Sequence, residues 1–187
     1  SQLSYIILGG ALATASGVLG GGLHIAMHAM GKITLFFCAG AIFVASHKKD
    51  ISTMNGIGRS MPFTMTAFFV GALCIIGLPP MGGMWSKWFL ILGAIEAGQE
   101  IFVVVLMISS LTSIGYLMPV VVRAFFFSPD GEGHVSDSKP AQGFLANLRE
   151  APILCVAPLC ATALGGVVLF FYVSEIYELL KIITLER

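Results

Sequence analysis

Charge is scarce in this chain, and its scarcity excludes whole classes of function. Lysine, arginine, aspartate and glutamate make up 11% of the 187 residues, against about 25% in soluble domains. The ten basic and ten acidic residues cancel, so there is no basic excess to hold phosphates, which argues against nucleic-acid binding. Cysteine is rare too. Cys38, Cys74, Cys155 and Cys160 lie in apolar runs without CxxC spacing, and they read as small core residues rather than metal ligands or disulfide partners. No strand-linked GxGxxG occurs, so nothing points to nicotinamide or flavin. The sequence calls for no cofactor and no redox or hydrolytic chemistry of its own. The start, Ser-Gln-Leu-Ser-Tyr-Ile-Ile-Leu, has no basic n-region or cleavage site and is not a signal peptide. It enters an apolar segment at once, which reads as part of a longer polypeptide.

What the chain has in abundance is apolar surface. Hydrophobic residues make up 57% and the mean hydropathy is +0.92, so this is a membrane protein. A bilayer core of about 30 Å needs about 20 apolar residues in helix. The spans expected on that scale are about 3–19, 23–46, 62–76 with 84–97, 101–127 and 152–173. The first is rich in glycine and alanine, suiting close helix packing in lipid. Gly20-Gly21-Gly22 is expected to turn between the first two spans. A polar connector runs from His47 to Arg59, a longer polar loop occupies 128–150, and an amphipathic tail carries Glu175, Glu178, Lys181 and Arg187. The expected fold is an all-α, polytopic transmembrane helix bundle with one discontinuous helix.

The discontinuity follows from Gly77-Leu78-Pro79-Pro80-Met81-Gly82-Gly83. Two prolines flanked by three glycines cannot continue a helix. Broken backbone at membrane depth survives only where protein or a water-filled cavity satisfies it, and discontinuous helices mark ion sites in transporters. The alternative is two short helices joined by a surface loop, against which the apolar character of the run counts. Counting the broken region as one crossing puts connectors 47–61 and 123–150 on one side, with Lys48, Lys49, Arg59, Arg123, Lys139 and Arg149. Connectors 20–22 and 97–100 hold no lysine or arginine. That asymmetry predicts a cytoplasmic 47–61.

Ionisable side chains in such a setting are costly and suggest function. His24, His28 and Lys32 are successive i, i+4 neighbours on the second span and form one slanted row. Lys32 lies nine residues from Leu23 and fourteen from Ser46, roughly 14 and 21 Å, beyond the reach of its side chain to either interface. Lys87, ten residues before Ala97, comes out about 15 Å deep. Burial favours the neutral amine and histidine titrates near neutral pH, so a row of such groups bridged by water is a proton relay. Ser86, Ser4 and Thr34 are hydroxyls placed to help hold that water. His24, near the helix start, is as readily a structural residue as a functional one. The HxxxH spacing also suits zinc, but the glutamate of HExxH and a third ligand are missing. Two histidines four apart on one helix cannot bracket a haem iron. Trp85 and Trp88 read either as an interfacial belt or, from the depth of Lys87, as interior residues. Glu96 and Glu100 read as a solvated helix end.

The ordered set His24-x3-His28-Ala29-x2-Lys32-x2-Leu35-Phe36-x3-Gly40, Met61-Pro62 and Gly77-Leu78-Pro79-Pro80-x-x-Gly83-x3-Lys87 resembles the antiporter-like subunits of the respiratory complex I membrane arm and of Mrp-type cation/proton antiporters. The opening Ser-Gln-Leu-Ser-Tyr is similar to the family's helix before its His/Lys helix. Glu150-Ala151-Pro152 is similar to the stretch after its long polar loop. Family members have about fourteen transmembrane helices in two inverted five-helix repeats, and this chain would correspond to most of the second repeat plus the next helix. The resemblance implies that Lys32 belongs to a central hydrophilic axis, that His28 and His24 belong to the linking proton path, and that Lys87 is the titratable residue of the discontinuous helix. Some subunits carry glutamate there. It also implies partner membrane subunits in an antiporter, respiratory or hydrogenase complex, with protons and a cation such as sodium as cargo. Two other readings stay open: a structural membrane anchor whose lysines pair with neighbouring acids, and an independent transporter for a small solute.

Overall fold

The computed structural model describes residues 2–128 and 150–185, with side chains described to residue 182. Among these residues eight helices follow one another: α1 Gln2–Ala11, α2 Ala15–Ser46, α3 Ile57–Ser60, α4 Pro62–Ile76, α5 Gly83–Glu96, α6 Ile101–Phe126, α7 Ile153–Phe171 and α8 Val173–Leu185. A 3-10 turn at Ile51–Thr53 sits in the connector after α2. α2, α6 and α7 are long and apolar enough to cross a membrane, while α1 and α4 are shorter apolar helices. The chain is a polytopic membrane helix bundle. Most of the polar loop at 128–150, with Lys139 and Arg149, lies outside the described residues, as does Arg187.

The glycine triplet does not turn. Gly20, Gly21 and Gly22 lie inside α2, and the chain reverses earlier, at Leu12-Ala13-Thr14, where Ala13 takes φ 52°. Thr14 starts α2 by accepting from the Gly17 N–H with its hydroxyl oxygen at 3.1 Å, so one orphan donor of the first turn is met. The reason is packing. A turn in a membrane strands backbone groups that a helix satisfies, and glycine there serves close approach. A Cβ on Gly20 would stand 2.7 Å from the Leu90 nitrogen of α5, and one on Gly9 2.5 Å from the Gly17 carbonyl. A Cβ on Gly93 would stand 2.4 Å from the Gly17 nitrogen. Gly9, Gly17 and Gly93 thus bring α1, α2 and α5 together backbone to backbone.

α2 is the central helix, packed by α1, α4, α5 and α7. Its interior face carries Met27, Thr34, Cys38, Ala41 and Ile42, and the last three join Met65, Leu159 and Ala163 in the main core. Outward faces of α6 and α7 leave large apolar side chains bare, as at Leu111 (67% exposed) and Leu154 (84%). That surface suits lipid or another transmembrane segment.

The ends of the bundle are tied differently. At one end Thr14 Oγ1 donates to Gly93 O and Ser16 Oγ donates to a Glu96 carboxylate oxygen at 2.5 Å. At the other, the Gly56 N–H donates to Arg123 O, which joins the connector after α2 to the end of α6. α4 opens on Met61-Pro62, and Met61 cannot cap it. Glu150 does so from 86 to 87 residues downstream: one carboxylate oxygen accepts from the Phe63 N–H at 2.7 Å and the Thr64 N–H at 3.3 Å, the other from the buried Thr64 hydroxyl at 2.6 Å. A carboxylate there also meets the positive end of the helix dipole.

Two stability outcomes follow. Gly93→Ala drives a Cβ into the α2 backbone and lowers the thermal midpoint of the full-length protein in detergent, at a cost of about 1–3 kcal/mol; Gly40→Ala, which meets open space inside α2, leaves stability the same or raises it by up to about 1 kcal/mol. Glu150→Ala removes the cap of α4 and costs about 1–2 kcal/mol in the same measurement.

Candidate functional site

The break between α4 and α5 is the centre of the site. α4 ends as Gly77 enters the left-handed region at φ 84°, and the Gly77 and Leu78 N–H groups both donate to Leu73 O. Glycine alone adopts that conformation without strain. The carbonyls of Ile75 and Ile76 are left over, as the last carbonyls of any helix are. Lys87, one turn into α5, supplies what they lack: its Nζ donates to Ile76 O at 2.7 Å, Ile75 O at 3.2 Å and the Ser110 hydroxyl oxygen at 3.0 Å. The side chain is 7% exposed. α5 approaches this close because Gly83 has no side chain; a Cβ there would lie 1.9 Å from Cys74 O.

Three acceptors match the three donors of an ammonium. They also suit the neutral amine, whose two N–H groups keep both carbonyls while its lone pair takes the Ser110 O–H. The site therefore holds Lys87 in either protonation state with only a hydroxyl rotation. The positive end of the amine also lies 5.3 Å from the centre of the Tyr5 ring, a favourable cation–π distance.

Tyr5 leads to the histidines. Its ring centre is 5.0 Å from that of His24, which stacks on His28 at 5.7 Å with planes 3° apart. His24 is buried, with Nδ1 2.9 Å from Ser86 Oγ and Nε2 3.1 Å from the Gln2 side-chain oxygen position. Ser86 donates its own hydrogen to Gly83 O, so it accepts from His24 Nδ1–H. In the neutral ring Nε2 is then a lone pair, and the Gln2 amide turns its nitrogen toward it. His28 is half-buried, and among the described residues its Nδ1 and the Tyr5 hydroxyl are buried without a protein partner. Buried polar atoms of this kind are met by internal water.

The row read from the sequence is real but not uniformly buried. Four residues of helix turn through about 400°, so each i, i+4 step drifts about 40° around the axis. His24 faces the interior, His28 the margin, and Lys32 is exposed on the surface of this chain, its Nζ 5.7 Å from the Phe36 ring centre. Depth is another matter. With α2 starting at Ala15, Lys32 stands 17 positions from one end and 14 from the other, about 26 and 21 Å. It shares with Gln2 and His28 the wall of a cleft of about 480 Å³. Lys87 and Ser110 border a second cleft, of about 370 Å³.

Other expected residues go elsewhere. Thr34 is turned toward α7, where its hydroxyl donates to Thr162 Oγ1 at 2.9 Å, and Ser4 is exposed. Trp85 packs on Phe170, while Trp88 is exposed beside the second cleft. Among the described residues no three of histidine, cysteine, aspartate and glutamate converge on a metal position. Sequence reasoning missed Gln2, Tyr5 and Ser110 as neighbours of His24 and Lys87. Ser109-Ser110 followed by Thr112-Ser113 is a polar interruption of an apolar span, and that was the available signal for Ser110.

Comparison with known proteins agrees with the motifs. Residues 1–113 match the family described as NADH:quinone oxidoreductase/Mrp antiporter, TM. The chain is 36% identical over 176 residues to NADH-quinone oxidoreductase subunit N of Desulforudis audaxviator, covering 94% of this chain and 35% of that protein. It is 30% identical over 126 residues to a Na(+)/H(+) antiporter subunit of Alkalihalophilus pseudofirmus, covering 67% of this chain and 26% of that protein. The fold matches a chain of the Mrp complex from Dietzia sp. with a TM-score of 0.82 at 23% identity, over 96% of this chain and 39% of that one. The chain thus spans 35% and 26% of the length of these two relatives and 39% of that solved chain. With the family matched across more than half its residues, this chain belongs to the NADH:quinone oxidoreductase/Mrp antiporter transmembrane family.

Proposed function

We propose that the chain is part of a membrane subunit that translocates protons across the cell membrane, within a multisubunit cation/proton antiporter or a redox-driven pump of the NADH:quinone oxidoreductase type. Lys32 and Lys87 act as alternating proton acceptors and donors, and His28 and His24 link them. Other membrane subunits are the partners, protons and a cation such as sodium the cargo, and connector 47–61 faces the cytoplasm. The observation that carries this reading is the environment of Lys87: a buried amine whose three partners accommodate it charged or neutral. It stands one aromatic ring from a stacked histidine pair that runs toward a second lysine. Lys32, far from both ends of α2, needs water or protein around its ammonium. The cleft beside it offers room for either.

One observation favours the structural-anchor reading instead. By capping the last carbonyls of α4, Lys87 has a sufficient static role, since cations are stabilising at helix C-termini. The two readings part at the proton. Arginine keeps the charge and the donors but does not release a proton, and Lys32→Met removes an amine whose contact among the described residues is the Phe36 ring. In the full-length protein within its complex, Lys87→Arg and Lys32→Met are each expected to leave assembly intact and to lower proton translocation into inverted membrane vesicles by about tenfold or more. Wild-type translocation in both, read from a pH-sensitive dye, would establish the anchor.

A further inference from the structure

Resting on the relay reading of Lys87, we infer that Ser110 is a proton-carrying residue of the same path: its hydroxyl takes the proton that Lys87 releases and passes its own into the neighbouring cleft. The partners of Lys87 differ in what they can do. The carbonyl oxygens of Ile75 and Ile76 accept hydrogen bonds and have no hydrogen to pass on. Tyr5 offers the face of its ring. Ser86, next in sequence, is engaged with His24 and with Gly83 O. Ser110 Oγ, 3.0 Å from Nζ, is the one partner that both accepts and donates.

Its position gives the proton an exit. Ser110 and Lys87 line the same cleft of about 370 Å³, and among its lining residues they bring the only hydroxyl and the only amine. The rest of the wall is apolar apart from the Trp88 indole, so Ser110 is the oxygen through which the amine meets any water in that space. The step balances without a further reagent. The Nζ–H bond breaks as the same hydrogen bonds to Ser110 Oγ, and the former Oγ–H hydrogen moves to a water in the cleft. The amine keeps the electron pair, the serine ends with one hydrogen as it began, and one positive charge has moved from Nζ to the water. The neutral amine then accepts the serine O–H, the arrangement its lone pair requires. Reversal of these steps reloads Lys87.

The test uses the full-length protein in its complex, with proton translocation into inverted vesicles energised by NADH oxidation or a sodium gradient, and assembly read on native gels. Ser110→Ala leaves both carbonyl contacts of Lys87 in place and is expected to lower translocation by about tenfold, while Ser110→Thr, which restores a hydroxyl, returns it to within about twofold of wild type. Wild-type translocation in Ser110→Ala, alongside a dead Lys87→Arg, overturns the role of Ser110 and leaves the relay standing. Low translocation in both Ser110 variants with assembly intact also overturns it, because it marks packing at this position and not the hydroxyl. Full translocation in Lys87→Arg removes the relay reading and this inference with it.

Discussion

Lys87 joins the two sides of an interrupted helical segment. A helix that stops within a bundle leaves carbonyl oxygens that water cannot reach, and an unmet buried acceptor costs about 1–3 kcal/mol. Gly77 and Leu78 turn back to serve Leu73 O, and the amine on α5 serves Ile75 and Ile76. The sequence around the break is arranged to bring that amine into range. Gly83 lets α5 start against the Cys74 carbonyl, and Gly82 lies under the Met27 sulfur, which a Cβ would approach to 2.2 Å. One side chain thereby satisfies the broken backbone and sits where a proton path would need it. The same contact serves both the structural and the conducting accounts of Lys87, and only a group that keeps the charge while refusing to release a proton separates them.

Much of this was legible in the residues themselves. Helices break at Pro79-Pro80 because proline supplies no N–H and blocks the preceding turn, and α4 starts at Pro62 because that missing N–H costs nothing there. The spacing of His24, His28 and Lys32 announced a common face. What spacing alone did not settle was which part of that face points inward, since 3.6-residue periodicity lets an i, i+4 row drift from core to surface. Gly20-Gly21-Gly22 misled for a related reason. Glycine is read as a breaker from its behaviour in water, while between apolar helices its use is to let backbones touch. The contributions of Gln2, Tyr5 and Ser110 depend on α1 and α6 lying against α5, and the cap from Glu150 depends on a contact across 86 residues. Local pattern carries no trace of such pairings.

The two ends of the bundle are held by different chemistry. Where α2 begins and α5 ends, hydroxyls of Thr14 and Ser16 reach a carbonyl and a carboxylate. Where α4 begins and α6 ends, a carboxylate and a backbone N–H make the ties. Between these clasps one polar group gathers Lys87, the two histidines, a glutamine, a tyrosine and two serines, while Thr34 and Thr162 pair apart from it. Their surroundings are largely apolar, which raises the electrostatic weight of each polar contact.

The glycine column of Gly9, Gly17 and Gly93 has a mechanical consequence. Where main chain presses on main chain there are no rotamers to reshuffle, so α1, α2 and α5 shift together or stay still. Within these three helices, what is free to move is light: a swivelling hydroxyl, a ring, or the tip of a four-carbon stem. The scaffold acts as a rigid frame, and the moving parts weigh only a few atoms.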